Sequence, residues 1–167
     1  MRYLFLFIFL SCIYIFYEGL KKDPKEIPSN LISQKIPSFS LTSFSGTNFS
    51  DLDLKKNEII ILNFFASWCP PCSIEHKFLT KLGRNVSIYG IAKKNEHNEL
   101  SSWLNKLGNP YTKIGMDYEG ITSIDWGVYG LPETFIIDKD GYIKYKHVGP
   151  ILERDMKKIK SIIKNLK

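Results

Sequence analysis

Two cysteines separated by two residues, Cys69 and Cys72, form the part of this sequence best suited to chemistry. A thiol attacks a disulfide only as its thiolate, so a catalytic cysteine needs a neighbour that stabilises negative charge near neutral pH. The stretch Trp68-Cys69-Pro70-Pro71-Cys72 meets that need if it opens a helix. At a helix start, unpaired backbone N–H groups and the positive end of the macrodipole favour an anion. Pro70 and Pro71 suit the first helical positions, where their missing donors would be unpaired in any case. On this reading Cys69 is the nucleophile and Cys72 the resolving thiol, and Trp68 shields the sulfurs and contacts partners.

Competing uses of the pair are less well supported. A structural disulfide framework calls for more cysteines at wider spacings, and a tetrahedral zinc site needs two further ligands close by. The remaining cysteine, Cys12, lies in an apolar N-terminal run, and His76, His97 and His147 show no ligand spacing. A copper-binding chaperone using Cys69, Cys72 and His147 is retained as an alternative of another class, although a proline-filled C-x-x-C makes a poorly adaptable chelate. His76 is expected to be exposed on the helix.

The elements that must position the dithiol are legible around it. Glu58 to Phe65 (EIIILNFF) is a nearly unbroken apolar run, the pattern of a central strand buried on both faces. After Cys72, Ile74, Phe78, Leu79 and Leu82 recur at helical spacing up to Gly83. The cysteines therefore sit where a strand ends and a helix begins. Residues 86–92 form a second apolar strand, 99–107 a helix, 111–116 another strand, and 121–126 a short helix or turn. Residues 134–138 and 142–147 make a β-hairpin, and 152–166 form a closing amphipathic helix. Upstream, 39–42 and 49–54 read as an N-terminal hairpin. The alternation of strands and helices implies an α/β fold.

The chain has 167 residues, 44% apolar and 24% charged, which suits one folded domain. Its formal charge is +6. The densest lysine group (Lys157, Lys158, Lys160, Lys164, Lys167) lies on the closing helix and reads as a solvated face, not a nucleic-acid footprint. Anionic lipid headgroups are a plausible weak partner. Tyr3 to Tyr17 carries no charge, and with Leu20 it reaches the length of a short membrane span. Residues following this run lack a small-residue cleavage pattern, so residues 1–20 read as a signal anchor, with a cleaved signal peptide as the rival. Residues 21–30, with Pro24 and Pro28, read as a linker, and 31–167 as the folded domain. Charges flanking the apolar run do not fix its orientation.

The motifs resemble those of the thioredoxin superfamily, and the longer matches resemble its DsbE/CcmG branch, the thiol-disulfide proteins of cytochrome c maturation. They are Asn63-Phe-Phe-Ala-Ser-Trp-Cys-Pro-Pro-Cys-Ser-Ile-Glu75-His76 and Ile124-Asp-Trp-Gly-Val-Tyr-Gly-Leu-Pro-Glu-Thr-Phe-Ile-Ile-Asp138. The resemblance implies a thioredoxin-like fold, a central mixed sheet flanked by helices, with an added N-terminal hairpin and an N-terminal membrane anchor. It also implies that Pro132 is a cis-proline opposite the dithiol, and that Pro132, Glu133, Tyr129, Trp68, Pro70 and Pro71 border a substrate groove.

Where thioredoxins carry a buried aspartate, this chain has Asn63, which cannot act as a base. Glu75 is then either a substitute proton carrier or a surface helix glutamate, and Glu133 either biases the groove toward basic or polar peptides or faces solvent. The implied activity is a protein-disulfide reductase, without bound cofactor or metal, acting on apocytochrome c from the periplasmic side of the inner membrane. A membrane donor of the CcdA/DsbD type would supply its electrons. A TlpA- or ResA-like reductase with another extracytoplasmic client is the alternative within the same chemistry.

Overall fold

A computed structural model of the chain describes residues 2–20 and 30–167. The first described segment is helix α1, Arg2–Leu20, which contains an 18-residue stretch, Tyr3–Leu20, long and apolar enough to cross a membrane. Signal sequences meet the same criterion. The linker expected over 21–30 lies, except for Asn30, outside the described residues.

The remaining elements, in order, are strands β1 (Ser40–Thr42) and β2 (Asn48–Ser50), a 3₁₀ turn (Asp51–Leu54), β3 (Ile60–Phe65), α2 (Pro70–Leu82), β4 (Ser87–Lys93), α3 (His97–Leu107), β5 (Lys113–Asp117), α4 (Ile121–Asp125), β6 (Glu133–Ile137), β7 (Ile143–Val148) and α5 (Glu153–Leu166). The expected second strand of the N-terminal hairpin is shorter than its sequence pattern. The Ser50 backbone N–H donates to the Asp53 carboxylate (2.9 Å), which caps the start of the 3₁₀ turn.

Five strands form a mixed sheet in the order β5-β4-β3-β6-β7. β3, β4 and β5 are parallel, whereas β6 and β7 are antiparallel additions on the other side of β3. This is the thioredoxin-like arrangement, an α/β fold with a mixed central sheet flanked by helices. Every residue of β3 is buried, because the strand is covered on both faces. Ile61 and Phe65 join one apolar cluster with Phe78, Leu79, Leu104, Ile159 and others from α2, α3 and α5. Ile60, Leu62 and Phe64 join a second cluster with Phe39, Phe49, Trp126 and Phe135. The alternation places Asn63 on the same face as α2.

The β1-β2 hairpin abuts the β5 edge through an isolated antiparallel bridge between Ser43 and Gly115. Gly115 is required there, since a Cβ would lie 2.6 Å from the Phe49 ring and 2.9 Å from Leu41. Gly115→Ala should therefore lower stability by about 1–3 kcal/mol through overpacking, measured as the shift of the urea unfolding midpoint at constant slope; an unchanged midpoint would contradict this packing.

Candidate active site

Cys69 is the N-cap of α2, and Pro70 and Pro71 occupy its first positions. The Cys69 sulfur accepts the Cys72 backbone N–H at 3.3 Å, so it already sits in the donor field of the helix start. Cys69 and Cys72 are joined by a disulfide with a Cα separation of 5.3 Å. Both are almost fully buried, whereas their chain neighbours Trp68 and Pro70 are exposed, as is Tyr129 in the loop before β6. Trp68 is 56% exposed, its ring anchored by donation from Nε1 to the Lys94 carbonyl (2.9 Å). The preceding residue, Ser67, is clamped by Asn95, whose Oδ1 accepts the Ser67 N–H (2.6 Å) and whose Nδ2 donates to Ser67 Oγ (2.8 Å). Asn95 was not singled out from sequence. Its burial is the only sign of this role, and no local pattern encodes it.

Behind the disulfide lies a buried polar network. Glu75, one helical turn beyond Cys72, is fully buried, not a surface glutamate. Its Oε1 accepts from Asn63 Nδ2 (2.8 Å), and its Oε2 accepts from the Ile151 backbone N–H (3.0 Å), just before α5. Asn63 Nδ2 also donates to Thr134 Oγ1 (3.0 Å), while Asn63 Oδ1 accepts from the Tyr111 hydroxyl (2.9 Å). Burial, reinforced by the Glu75 charge, pushes the Tyr111 hydroxyl well above its ordinary range. Tyr111 therefore stays a donor, which turns the amide nitrogen of Asn63 toward Glu75. Burial raises the Glu75 carboxyl to about 7 despite the opposing Ile151 and Asn63 hydrogen bonds. The result is a proton-exchanging carboxyl at neutral pH, one turn from Cys72.

His76 is also buried, correcting the expectation of an exposed helix residue. Its ring packs edge-on against Trp103, and Nε2 lies 2.9 Å from the Gly108 carbonyl. Burial lowers its pKa, so the ring is neutral and structural.

The Leu131–Pro132 peptide is cis. Glu133, expected beside the substrate groove, is instead buried at the start of β6. Oε1 accepts the backbone N–H groups of Tyr129 (2.9 Å) and Gly130 (3.2 Å), and Oε2 pairs with Lys146 at 2.8 Å. Lys146 also donates to the Gly127 carbonyl (2.7 Å). The carboxylate thus holds two N–H groups of the 127–130 loop, and its partner Lys146 holds a carbonyl of the same loop. The Glu133 charge is turned away from solvent. Asp117 accepts from Ser123 N–H (2.9 Å) at the start of α4.

A family profile described as Redoxin matches residues 32–163. The thiol:disulfide interchange protein DsbE of Pseudomonas aeruginosa is 41% identical over 147 residues, 86% of this chain and 81% of that protein. DsbE of Yersinia pestis is 40% identical over 136 residues, covering 80% and 72% of the two chains. The chain belongs to the DsbE family. It is accordingly a thiol-disulfide oxidoreductase with a redox-active cysteine pair. Among solved structures, a secreted disulfide oxidoreductase of Mycobacterium tuberculosis homologous to E. coli DsbE aligns with a TM-score of 0.65 at 21% identity over 77% of this chain and 96% of that one. A thiol-disulfide oxidoreductase of Bacteroides fragilis gives 0.66 at 22% identity, over 77% and 99%. Both have the same fold.

The Glu75 shift carries a pH signature. Unfolded, this carboxyl ionises near 4.5; folded, it ionises near 7. The proton it retains favours the native state below pH 4.5, and that contribution is lost as pH rises to 7. Between these limits the oxidised protein should lose on the order of 3 kcal/mol from this group. Glu75→Gln should remove most of this slope, as read from denaturant unfolding across the pH range; a variant retaining the wild-type slope would show that another group titrates.

Proposed function

We propose that this DsbE-family protein is a membrane-tethered reductase that opens the disulfide of apocytochrome c before haem attachment. The observation that carries the proposal is the Gly127-Val-Tyr-Gly-Leu-Pro-Glu-Thr134 segment, built as a loop fixed from behind by Glu133 and Lys146 beside the dithiol. Trp68 and Tyr129 offer aromatic surfaces to an extended C-x-x-C-H peptide, and Pro132 borders the same groove. The apolar helix α1 serves as the signal anchor, with the catalytic domain on the periplasmic side.

In the reduced enzyme, the Cys69 thiolate attacks one sulfur of the client disulfide. A mixed disulfide forms, and the departing client sulfur takes up a proton. Glu75, ionised for part of the time near pH 7, accepts the Cys72 proton. The Cys72 thiolate then attacks the Cys69 sulfur and releases the second client thiolate, which is protonated in turn. Two electrons pass to the client, whose two sulfurs take up one proton that left Cys72 by way of Glu75 and one from solvent, and the enzyme is left as the Cys69–Cys72 disulfide. Re-reduction requires a dithiol donor, proposed to be a membrane transporter of the CcdA/DsbD type.

Other clients of the TlpA/ResA kind use identical chemistry, and the 127–134 segment favours the cytochrome branch. For the copper-chaperone reading, no group of three His, Cys, Asp or Glu side chains among the described residues is arranged to hold a metal.

A Cys72→Ser variant should accumulate a mixed disulfide with an oxidised C-x-x-C-H peptide through Cys69, whereas Cys69→Ser should lose exchange altogether, both read by non-reducing gels and mass spectrometry. Trapping of varied secreted proteins in place of apocytochrome c, with a reduction potential near that of a disulfide-forming oxidant (about −120 mV), would overturn the reductase assignment.

A further inference from the structure

The lysines of the closing helix acquire a role from where the fold places them. β3 runs from Ile60 toward the dithiol, and β6 lies antiparallel, pairing Glu133 with Phe64 and Ile137 with Ile60. The β6-β7 turn therefore lies at the end of the domain opposite the cysteines. The chain enters the domain beside this turn, since Ser33 N–H donates to Ile143 O (2.8 Å) and Ile36 N–H to Gly141 O (3.0 Å). α5 finishes there too, where Lys139 Nζ reaches the Lys167 oxygen (3.3 Å). α2, starting at Cys69, also ends there, after 13 residues or about 20 Å.

At this end, α2 and α5 enclose a cleft of about 300 Å³ with apolar Leu82, Val86 and Ile163 below and Lys160, Lys164 and Lys167 around it. These three lysines recur at i, i+4 and i+7, are exposed, and make no ion pair among the described residues. Arg84 and Lys139 add exposed charge. Of the acids nearby, Asp138 is paired with Lys144 (3.0 Å), Glu58 is half-buried, and Asp140 is exposed. The dithiol end differs, with exposed Glu96, Glu119 and Asp125 against Lys93 and Lys94.

We infer that the Lys160, Lys164 and Lys167 end of the domain docks on the anionic lipid surface that anchors α1, so that the dithiol faces away from the bilayer. This rests on α1 being a membrane anchor. Nine residues separate Leu20 from Asn30, a reach of at most about 35 Å. Such a tether lets the entry end of the domain reach the headgroups, where attraction decays over about 10 Å at 0.1 M salt. Docking by the opposite end would bring Glu96, Glu119 and Asp125 against negative lipid.

The full chain, reconstituted in vesicles of phosphatidylcholine with or without phosphatidylglycerol, tests this by amine labelling with a membrane-impermeant reagent, read lysine by lysine by mass spectrometry. Labelling of Lys160, Lys164 and Lys167 should slow roughly fivefold in phosphatidylglycerol vesicles and recover in 1 M salt, where screening shortens to about 3 Å. Lys93 and Lys94 should label alike in both. Labelling of Lys139, at the same end, should also slow in phosphatidylglycerol vesicles, and combined Lys160→Glu, Lys164→Glu and Lys167→Glu substitution should erase that lipid dependence at Lys139 while leaving reduction of a small-molecule disulfide unchanged. Equal labelling in both vesicles, or protection of Lys93 and Lys94 instead, overturns the orientation although the chain is anchored. Release of the chain from both vesicles by alkaline carbonate would overturn the anchor itself, and the orientation with it.

Discussion

The Glu75 carboxyl, buried one turn behind a helix-start disulfide, is the constraint around which the rest of the site is arranged. An isolated carboxylate in that position would be too costly to bury. Asn63 from the central strand and the Ile151 backbone from the approach to α5 supply donors to its two oxygens. Those bonds offset part of the desolvation, leaving a group that exchanges protons near neutrality. Asn63 can serve only because Tyr111 fixes the orientation of its amide. One buried carboxyl thus connects β3, α2, the start of β5 and the approach to α5, and it does so next to the resolving cysteine.

A second buried charge has a different task. Glu133 is tied to Lys146 and to two backbone N–H groups of the loop before Pro132. Removing one partner of such a pair costs about 3–5 kcal/mol, since the other remains buried and uncompensated. That cost secures the loop carrying the exposed Tyr129. Trp68 is steadied separately, through Lys94 and the Ser67–Asn95 clamp. The two charges therefore differ: one titrates near neutrality behind the disulfide, the other holds the loop before Pro132 in shape.

The fold also separates the ends of the molecule. The parallel strands β3, β4 and β5 deliver the dithiol and its aromatic border to one end. The chain entry, the β6-β7 turn and the last turn of α5 occupy the other.

Much of this was readable in the sequence because it is local. The unbroken apolar run through Phe65 followed by Cys69-Pro70-Pro71-Cys72 specifies a buried strand feeding a helix start, and that juxtaposition alone sets up a nucleophile and its resolver. Strand and helix periodicities placed the other elements to within a few residues, as did the turn chemistry at Lys139-Asp140-Gly141. The surroundings of Glu75, His76 and Glu133 were decided only by tertiary packing. Each is a polar residue whose local pattern equally allows solvent. Their burial depends on partners 12 to 76 positions away for Glu75, 32 for His76 and 13 for the charge pairing of Glu133. A sequence window records which side chains share a face of one helix or strand, but not which element comes to cover that face. That covering, by setting solvent exposure, gives Glu75 its raised pKa and turns Glu133 from a groove acid into an internal brace.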